Sequence, residues 1–277
     1  MLRITKIAFP GLGIGEFSVD SVAFRIKDFS VAWYALIITL GMICAVTYIV
    51  LKSKEIGITA EDVIDYAIFV IPFGVLGARI YYVLMELDKY DSLIDAFNIR
   101  QGGLAIYGGI IAGTLTVFLV SLKKKIYFPA FGDYVVPGVI LAQAIGRWGN
   151  FMNGEAYGYQ TDIFCRMGLD FGLGMEYYHP TFLYESLWNF IGFIGVNILF
   201  KYKKYDGQMI LIVFGWYGLG RMFIEGLRTD SLYLFGNVRV SQLLAALIFI
   251  ACTTLLIYFA IKHPKRELFK KEIKEKK

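Results

Sequence analysis

Seven long apolar segments, separated by short polar linkers, dominate the sequence. Each is close to the ~20 residues that an α-helix needs to cross a bilayer, and a helix satisfies its own backbone hydrogen-bonding groups within hydrocarbon. The pattern therefore predicts an all-α membrane protein with about seven transmembrane helices. We expect these helices to cover residues 31–51, 63–85, 104–122, 134–151, 181–200, 209–227 and 240–261.

The segments outside these spans are mixed or polar. Residues 1–30 alternate apolar and polar positions among several glycines, which favours a surface hairpin or an interfacial segment. They lack a charged start followed by a clean apolar core, so we expect no cleavable signal peptide. We divide the chain into an extracytoplasmic N-terminal segment (1–30), a seven-span membrane domain (31–262) and a basic tail (263–277).

The distribution of lysines predicts which side of the membrane each end of the chain occupies. Lysines cluster after the first, third, fifth and seventh spans. By the positive-inside rule this side is cytoplasmic, so we expect the N-terminus outside and the C-terminus inside. The linkers 86–101, 152–179 and 228–239 then form a small extracytoplasmic loop region, and the lysine-rich tail is attracted to anionic lipids of the inner leaflet.

Composition agrees with a membrane protein and excludes several other classes. The 277 residues are 57% hydrophobic and only 18% charged, whereas soluble domains are nearer one-quarter charged. The net charge of +5 comes from loop and tail lysines, so we expect no nucleic-acid partner. The three cysteines are scattered and the two histidines lie far apart, so we expect neither a disulfide framework nor a metal or other cofactor.

The most informative polar stretch is residues 146–158, at the end of the fourth apolar span. It places Arg147, Asn150 and Glu155 among glycines where a helix leaves hydrocarbon. An arginine there is costly unless it has an anionic partner, and a guanidinium grips a phosphate or carboxylate with two parallel hydrogen bonds. Glycines let backbone or ligand approach closely. The stretch therefore predicts a site for an anionic lipid headgroup.

A second polar constellation lies in the sixth span. Tyr217, Arg221, Glu225 and Arg228 fall within one ~80° face of a helix. One interpretation is a buried ion pair between Arg221 and Glu225 that fixes helix packing. The other is a binding surface, because two arginines and one glutamate leave a positive excess that favours an anion in a membrane.

Further candidates lie at the predicted outer ends of the other spans. His179 is placed to cap the fifth helix, with Pro180 as its first residue, and Glu185 is expected to pair with a neighbouring arginine. Tyr107, in a glycine-rich segment that favours close helix packing, has a hydroxyl that can bind a phosphate or relay a proton. Tyr34 belongs to an interfacial aromatic belt or lines the site.

Two charged residues have simpler interpretations. Arg79 either snorkels outward from the second span or joins the same polar cluster. Asp133 is expected to cap the N-terminus of the fourth helix, away from the chemistry.

So many polar groups at one predicted depth favour a hydrated cavity open to the outer leaflet. Such a cavity suits an enzyme acting on lipid headgroups better than a transporter, whose site usually lies near the midplane between repeated halves. The sequence contains no repeated halves. A lipid or anion transporter and a transferase acting differently on the lipid headgroup remain the alternatives.

Several of these residues belong to longer motifs. Along nearly its whole length the chain resembles the bacterial prolipoprotein diacylglyceryl transferase family. The matching motifs are Gly77-Ala78-Arg79, Gly102-Gly103-Leu104-x-x-x-Gly108-Gly109, Gly146-Arg147-x-Gly149-Asn150-Phe151-x-Asn153-Gly154-Glu155-x-x-Gly158, His179-Pro180-Thr181-x-Leu183-Tyr184-Glu185 and Tyr217-Gly218-x-x-Arg221-x-x-x-Glu225-x-x-Arg228-x-Asp230.

The resemblance implies a seven-span enzyme of the plasma membrane, working as a monomer at the outer leaflet without a cofactor. It would move the diacylglyceryl group of phosphatidylglycerol onto the thiol of a lipobox cysteine in a preprolipoprotein, releasing glycerol 1-phosphate. Arg147 would bind the headgroup and Arg221 would be its essential partner. The expected catalytic residues are Arg147, Arg221, Tyr107 and Glu155, and the expected substrate-binding residues are Arg147, Asn150, Tyr34, Tyr217, Glu225, Arg228, His179 and Gly158.

One position departs from the family pattern. Many members have a histidine, proposed as catalytic, where this chain has Tyr107. A phenol is ordinarily a poor base at neutral pH, so a histidine base is not indispensable to the implied reaction. The acceptor of the thiol proton stays open among Glu155, Tyr107, His179 and the leaving phosphate.

Overall fold

A computed structural model describes residues 4–27, 29–90, 102–234, 238–262 and 268–271. It contains seven helices long and apolar enough to cross a membrane, which confirms the predicted fold class. Their bounds are α1 Trp33–Ser53, α2 Ala60–Met85, α3 Ile106–Lys124, α4 Phe128–Asn153, α5 Thr181–Leu199, α6 Gln208–Ile224 and α7 Val240–Lys262.

The chain divides into two compact units. The first comprises Met1–Thr47 and Asp133–Leu268, and the second comprises Tyr48–Gly132 and Phe269–Lys277. The predicted linker 86–101 and tail 263–277 fall largely outside the described residues.

The described residues of the first unit form six short strands. They are β1 Ile4–Phe9, β2 Ile14–Asp20, β3 Val22–Ile26, β4 Phe29–Ala32, β5 Met167–Asp170 and β6 Met175–Tyr178. The β1–β2 hairpin agrees with one interpretation of residues 1–30. Pairing of β1 with β5 extends it into an antiparallel sheet of order β2-β1-β5-β6. The β5–β6 hairpin was not predicted from the sequence.

This sheet fixes the ends of α4 and α5. Ile7, Met167 and Leu169 are buried against Phe182, in the first turn of α5. Phe151, near the end of α4, packs against Phe182 with tilted rings whose centroids lie 4.8 Å apart. Burial of these apolar side chains therefore holds the two helix ends that carry the polar motifs.

Helices α5 and α6 are joined by two reciprocal hydrogen bonds. The Trp188 indole N–H donates to the Trp216 carbonyl and the Trp216 indole N–H donates to the Trp188 carbonyl, each at 2.9 Å. The rings stack at 4.1 Å. Gly192 and Gly220 make this possible, because a Cβ at either position would lie 2.4 Å or less from a tryptophan atom.

The prediction that Asp133 caps α4 is wrong. The helix begins at Phe128, so Asp133 lies inside it and is fully buried. Its carboxylate instead accepts N–H groups of Gly207 (2.8 Å) and Ile210 (3.0 Å) at the start of α6. It also pairs with Lys203 at 2.9 Å, so it caps a different helix.

In the second unit, α2 and α3 pack closely through glycines. A Cβ on Gly108 would lie 2.3 Å from the Gly77 carbonyl oxygen, so only small residues allow this approach. Arg79 is buried and donates to the carbonyls of Gly102 (2.6 Å) and Gly103 (3.0 Å). The outward-snorkelling interpretation of Arg79 is therefore wrong.

Candidate active site

Glu185, in the second turn of α5, is the centre of a cluster of arginines in the first unit. It is buried, and three guanidiniums contact its carboxylate. Arg147 Nη2 meets Oε2, Arg221 Nη1 lies 3.0 Å from Oε1, and Arg228 Nη1 lies 3.1 Å from Oε1. The expected pairing of Glu185 with an arginine is confirmed, and it extends to three.

Hydrogen bonds between the residues that follow Arg147 and Glu185 help to fix the positions of these two side chains. The Trp148 indole donates to the Ser186 hydroxyl at 3.1 Å, and this hydroxyl donates to the Ala144 carbonyl at 2.8 Å. Helices α4 and α5 are thus held in register where the ion pair forms.

The prediction for the sixth span is confirmed for Arg221 and Glu225 but not for Arg228. Arg221 and Glu225 form the expected i,i+4 ion pair at 2.6 Å. Arg228 is not on the same helix face, because α6 ends at Ile224 and residues 225–227 form a short 3-10 turn. Arg228 instead begins an extended segment, and its Nε and Nη2 donate hydrogen bonds to the Asp230 carboxylate at 2.9 and 2.7 Å.

The sequence also predicted an excess of positive charge at this cluster, and this prediction is wrong. Three arginines meet three carboxylates, because Glu185 and Asp230 add to Glu225. Burial disfavours the charged Arg228 guanidinium, but Asp230 and Glu185 outweigh burial and raise its pKa. The cluster therefore balances its own charge and presents guanidinium groups in a fixed geometry.

Two of the three arginine side chains are partly exposed. The Arg147 side chain is 21% exposed and that of Arg221 is 16% exposed. An arginine has five N–H donors in a rigid fork. The described contacts of Arg147 and Arg221 occupy only some of these donors. The accessible donors can bind an anionic group without dismantling the cluster.

The glycine-rich segment lies next to Arg147. Asn150 and Asn153, at the end of α4, donate to Glu155 Oε1 at 2.9 and 3.1 Å. Arg147 Nη1 lies 3.5 Å from Asn150 Oδ1. Gly154 has a φ of +60°, a conformation that glycine adopts readily. It turns the chain so that Glu155 reaches back to α4.

Tyr34 packs beside the same segment. A Cβ at Gly149 would lie 2.9 Å from the Tyr34 ring. The start of α1 and the end of α4 therefore meet within the first unit, and Tyr34 lies near the residues predicted to bind substrate.

Gly158 joins three parts of the site. Its N–H donates to the His179 carbonyl at 2.9 Å, and it forms an isolated β-bridge with Arg228. A Cβ would lie 2.7 Å from the Leu227 carbonyl oxygen, so a larger residue would separate Arg228 from the rest of the cluster.

His179 is not the cap that the sequence predicted. Helix α5 begins at Thr181, with Pro180 as its cap residue. His179 Nδ1 lies 3.3 Å from the Tyr184 hydroxyl, and burial lowers the pKa of the imidazole. The ring is therefore neutral at pH 7.

Two predicted residues have fewer described contacts. Tyr217 is half-buried on α6, one turn before Arg221. Tyr107 lies in the first turn of α3, in the second unit, with its ring centroid 6.5 Å from that of Tyr81. The roles of both residues stay predictions.

Three residues of the cluster's surroundings were not singled out individually from the sequence. Asp230 pairs with Arg228, Ser231 donates to Glu225 Oε1 at 2.9 Å, and Arg239 donates to the Glu225 carbonyl at 2.9 Å. The only sequence signal was a short carboxylate two positions after an arginine, a spacing that favours such a pair in an extended segment.

Comparison with known proteins gives one consistent result. The model of the prolipoprotein diacylglyceryl transferase family matches residues 21–258. The phosphatidylglycerol–prolipoprotein diacylglyceryl transferase 1 of Clostridium perfringens (strain 13 / Type A) is 45% identical over 258 residues, covering 90% of this chain and 98% of the relative.

Two further relatives carry the name phosphatidylglycerol–prolipoprotein diacylglyceryl transferase. That of Enterococcus faecalis (strain ATCC 700802 / V583) is 42% identical over 270 residues, covering 94% of this chain and 97% of the relative. That of Listeria innocua serovar 6a is 42% identical over 260 residues, covering 91% and 94%. With its seven apolar helices and its arginine cluster, the chain belongs to the prolipoprotein diacylglyceryl transferase family.

Proposed function

We propose that this membrane enzyme transfers the diacylglyceryl group of phosphatidylglycerol to the thiol of a lipobox cysteine in a preprolipoprotein. Glycerol 1-phosphate is the second product, and the reaction is the first step of lipoprotein maturation. The names of its relatives join phosphatidylglycerol to prolipoprotein. The observation in this chain that supports the proposal is the pair of partly accessible guanidiniums, Arg147 and Arg221, held on one buried glutamate.

The substrate cysteine supplies the nucleophile. Its thiolate attacks the carbon of the diacylglyceryl group that carries the phosphodiester oxygen. A carbon–sulfur bond forms, the carbon–oxygen bond breaks, and the electron pair leaves with glycerol 1-phosphate. A phosphodiester with one negative charge thereby becomes a phosphomonoester on which a second charge develops.

The proposed role of Arg147 and Arg221 follows from this charge. Their guanidiniums bind the headgroup phosphate and stabilise the charge that appears as the carbon–oxygen bond breaks. Donors already held in position lose little energy to reorganisation, and removing one such donor typically costs about 3–4 kcal/mol. Glu185 and Glu225 orient the two guanidiniums, which is a positioning role.

The thiol proton is the one proton that must move. Four groups are proposed as its acceptor: Glu155, His179, Tyr107 and the leaving phosphate. His179 is suited because burial lowers the pKa of its imidazole and so keeps it neutral. Glu155 is suited because its Oε1 accepts hydrogen bonds from two amides, which fix the position of its side chain.

The proposed setting is the cell membrane, with the site opening to the outer leaflet. Lipid enters sideways from the bilayer, and the lipobox segment arrives at the outer face. The N-terminus lies outside, the lysine-rich ends of the spans lie in the cytoplasm, and the working unit is a monomer. The proposed lining of the substrate site comprises Tyr34, Asn150, Gly158, His179, Tyr217, Glu225 and Arg228.

Mass spectrometry of both products tests the proposal. Purified enzyme in phosphatidylglycerol nanodiscs is incubated with a lipobox peptide, and the same peptide with serine in place of cysteine is the control. The expected products are a diacylglyceryl peptide and glycerol 1-phosphate in equal amounts. Release of glycerol or diacylglycerol would instead identify a headgroup transferase. Lipid or anion flux without a covalent product would identify a transporter.

A further inference from the structure

An apolar groove runs along one side of the α2–α3 pair, within the second unit. It has a volume of about 670 Å³ and uses none of the residues of the arginine cluster. Phe69 and Phe73 of α2 form one wall, and Leu115 and Leu119 of α3 form the other. All four side chains are exposed, so the groove faces the surroundings of the helix pair.

The floor of the groove is apolar as well. Ala112 and Thr116 lie there, and the Thr116 hydroxyl donates to the Ala112 carbonyl at 2.7 Å. This bond satisfies the hydroxyl within its own helix, which leaves the threonine methyl to face a ligand. Such a surface suits hydrocarbon and offers nothing to a polar solute.

The length of the groove matches one leaflet of a bilayer. From Ala112 to Lys124, the limits of its α3 lining, an α-helix rises about 18 Å. Half of a ~30 Å hydrocarbon core is about 15 Å. A transmembrane helix from another protein would need a partner surface across both leaflets, whereas one acyl chain needs only this depth.

One end of the groove is charged. Lys124 lies 2.9 Å from Asp62 and 2.7 Å from Asp65, and Asp62 also pairs with Lys271 at 2.5 Å. The two lysines and two aspartates of this network balance. Lys123, which also lines the groove and is exposed, has no carboxylate partner among the described residues. The groove therefore ends in one uncompensated positive charge.

We propose that this groove binds one anionic phospholipid of the leaflet on the lysine side, with an acyl chain along the groove and the phosphate at Lys123. An apolar groove about as long as one leaflet, ending at a single cation, is complementary to a lipid whose headgroup has a net negative charge. A zwitterionic lipid lacks that charge difference, so the site discriminates by charge. A basic residue near a membrane surface typically favours an anionic headgroup about fivefold.

Photo-crosslinking in nanodiscs tests this proposal with the full-length chain. Phosphatidylglycerol and phosphatidylcholine carry the same photoactivatable acyl chain, and peptide mapping measures the label on residues 65–73 and 112–123. We expect about fivefold more label from phosphatidylglycerol. Lys123→Glu reverses the charge and should bring the ratio below one. Lys54→Glu, the same charge change after another span, should leave the ratio unchanged.

Phosphatidylserine with the same chain should label these peptides as strongly as phosphatidylglycerol, because both headgroups have a net negative charge. Labelling by phosphatidylglycerol alone would overturn recognition by charge. Equal labelling by phosphatidylcholine, or an unchanged ratio in Lys123→Glu, would overturn the site. Cross-links through α2 or α3 to a second copy of the chain, with exclusion of lipid, would overturn it in favour of a protein interface.

Discussion

Two ionic clusters of the first unit both neutralise charges that are largely removed from solvent, but they differ in how exposed their cations are. In one, Lys203 lies between Asp133 and Asp206, and the three side chains are 4%, 0% and 8% exposed. In the other, Arg147 and Arg221 keep 21% and 16% of their side chains exposed around Glu185. The first cluster is closed, whereas the second keeps donors accessible.

The choice of cation follows this difference. A lysine ammonium is a compact point charge, and Lys203 between two carboxylates is fully compensated. A guanidinium has more donors than one carboxylate can accept, so an arginine can be held by a glutamate and still bind a phosphate. Burial of charge therefore indicates a structural role at Asp133, while burial with spare donors indicates a site at Glu185.

Asp133→Ala should have the largest effect, and on stability alone. It leaves the buried Lys203 with one partner and removes the acceptor for two N–H groups of α6. Breaking a buried ion pair typically costs about 3–5 kcal/mol. Thermal unfolding in detergent would measure this loss, with the exposed Asp162→Ala as control. A wild-type unfolding temperature would contradict the structural role.

Arg147→Ala and Arg221→Ala should each lower kcat for transfer by about 10²–10³-fold, the usual effect of losing one preorganised donor. Their losses should not add, because both arginines share Glu185. The assay is product formation from phosphatidylglycerol and a lipobox peptide, at matched amounts of folded protein. Arg25→Ala, on exposed β3, is the control. Wild-type rates in either arginine variant would remove that residue from the site.

Tyr107→Phe should lower the transfer rate by about tenfold, close to the upper worth of one ordinary hydrogen bond. The substitution removes only the hydroxyl and keeps the ring that lies beside Tyr81. The same peptide assay measures the rate, and unfolding temperature serves as the control for packing. A full rate would assign Tyr107 to packing alone.

Removing the Arg228–Asp230 pair should have the smallest effect on stability, and this effect should depend on pH. The hydrogen bond from Arg228 lowers the pKa of Asp230, so the pair adds stability above the ordinary aspartate pKa near 3.9. That stability is lost as pH falls through the lowered value. Because the Asp230 side chain is 54% exposed, we expect less than about 1 kcal/mol.

Unfolding temperatures of wild type and Asp230→Asn between pH 3 and pH 7 measure this contribution. The difference between them should be present at pH 7 and should shrink below pH 4. A difference that grows on acidification would contradict the sign of the shift.

The sequence predicted the helices well because their signal is local. Long apolar runs identify each span, and the predicted bounds fall within a few residues of the observed ones except at the start of α4. There Asp133 suggested an N-terminal cap, although the helix starts at Phe128. Helix periodicity cannot reveal that Asp133 faces the N–H groups of another helix.

Several residues of the arginine cluster were singled out from the sequence, but the charge balance of the cluster was not predicted. Arg147, Arg221 and Glu225 stood out because a charge within an apolar run is conspicuous. Asp230 lies in a polar loop, where a carboxylate is unremarkable, and its contact with Arg228 depends on where α6 ends. Counting charges along one helix face therefore overestimated the positive excess.

The ion pair between Glu185 and Arg221 also has a consequence for how the chain enters the membrane. In α6, Arg221 keeps Glu225 of its own segment as a partner, whereas α5 inserted alone would carry the Glu185 carboxylate without an arginine, at a cost of up to about 2.5–3.5 kcal/mol, the value for a charge at the centre of a helix. Together, the two charges meet at 3.0 Å. Arg147 of the preceding helix α4 supplies part of this pairing before α6 is made. We therefore expect only partial protease protection of α5 in nascent chains ending at residue 204, and more once residues 208–227 have left the ribosome; full protection of the shorter chains would contradict this.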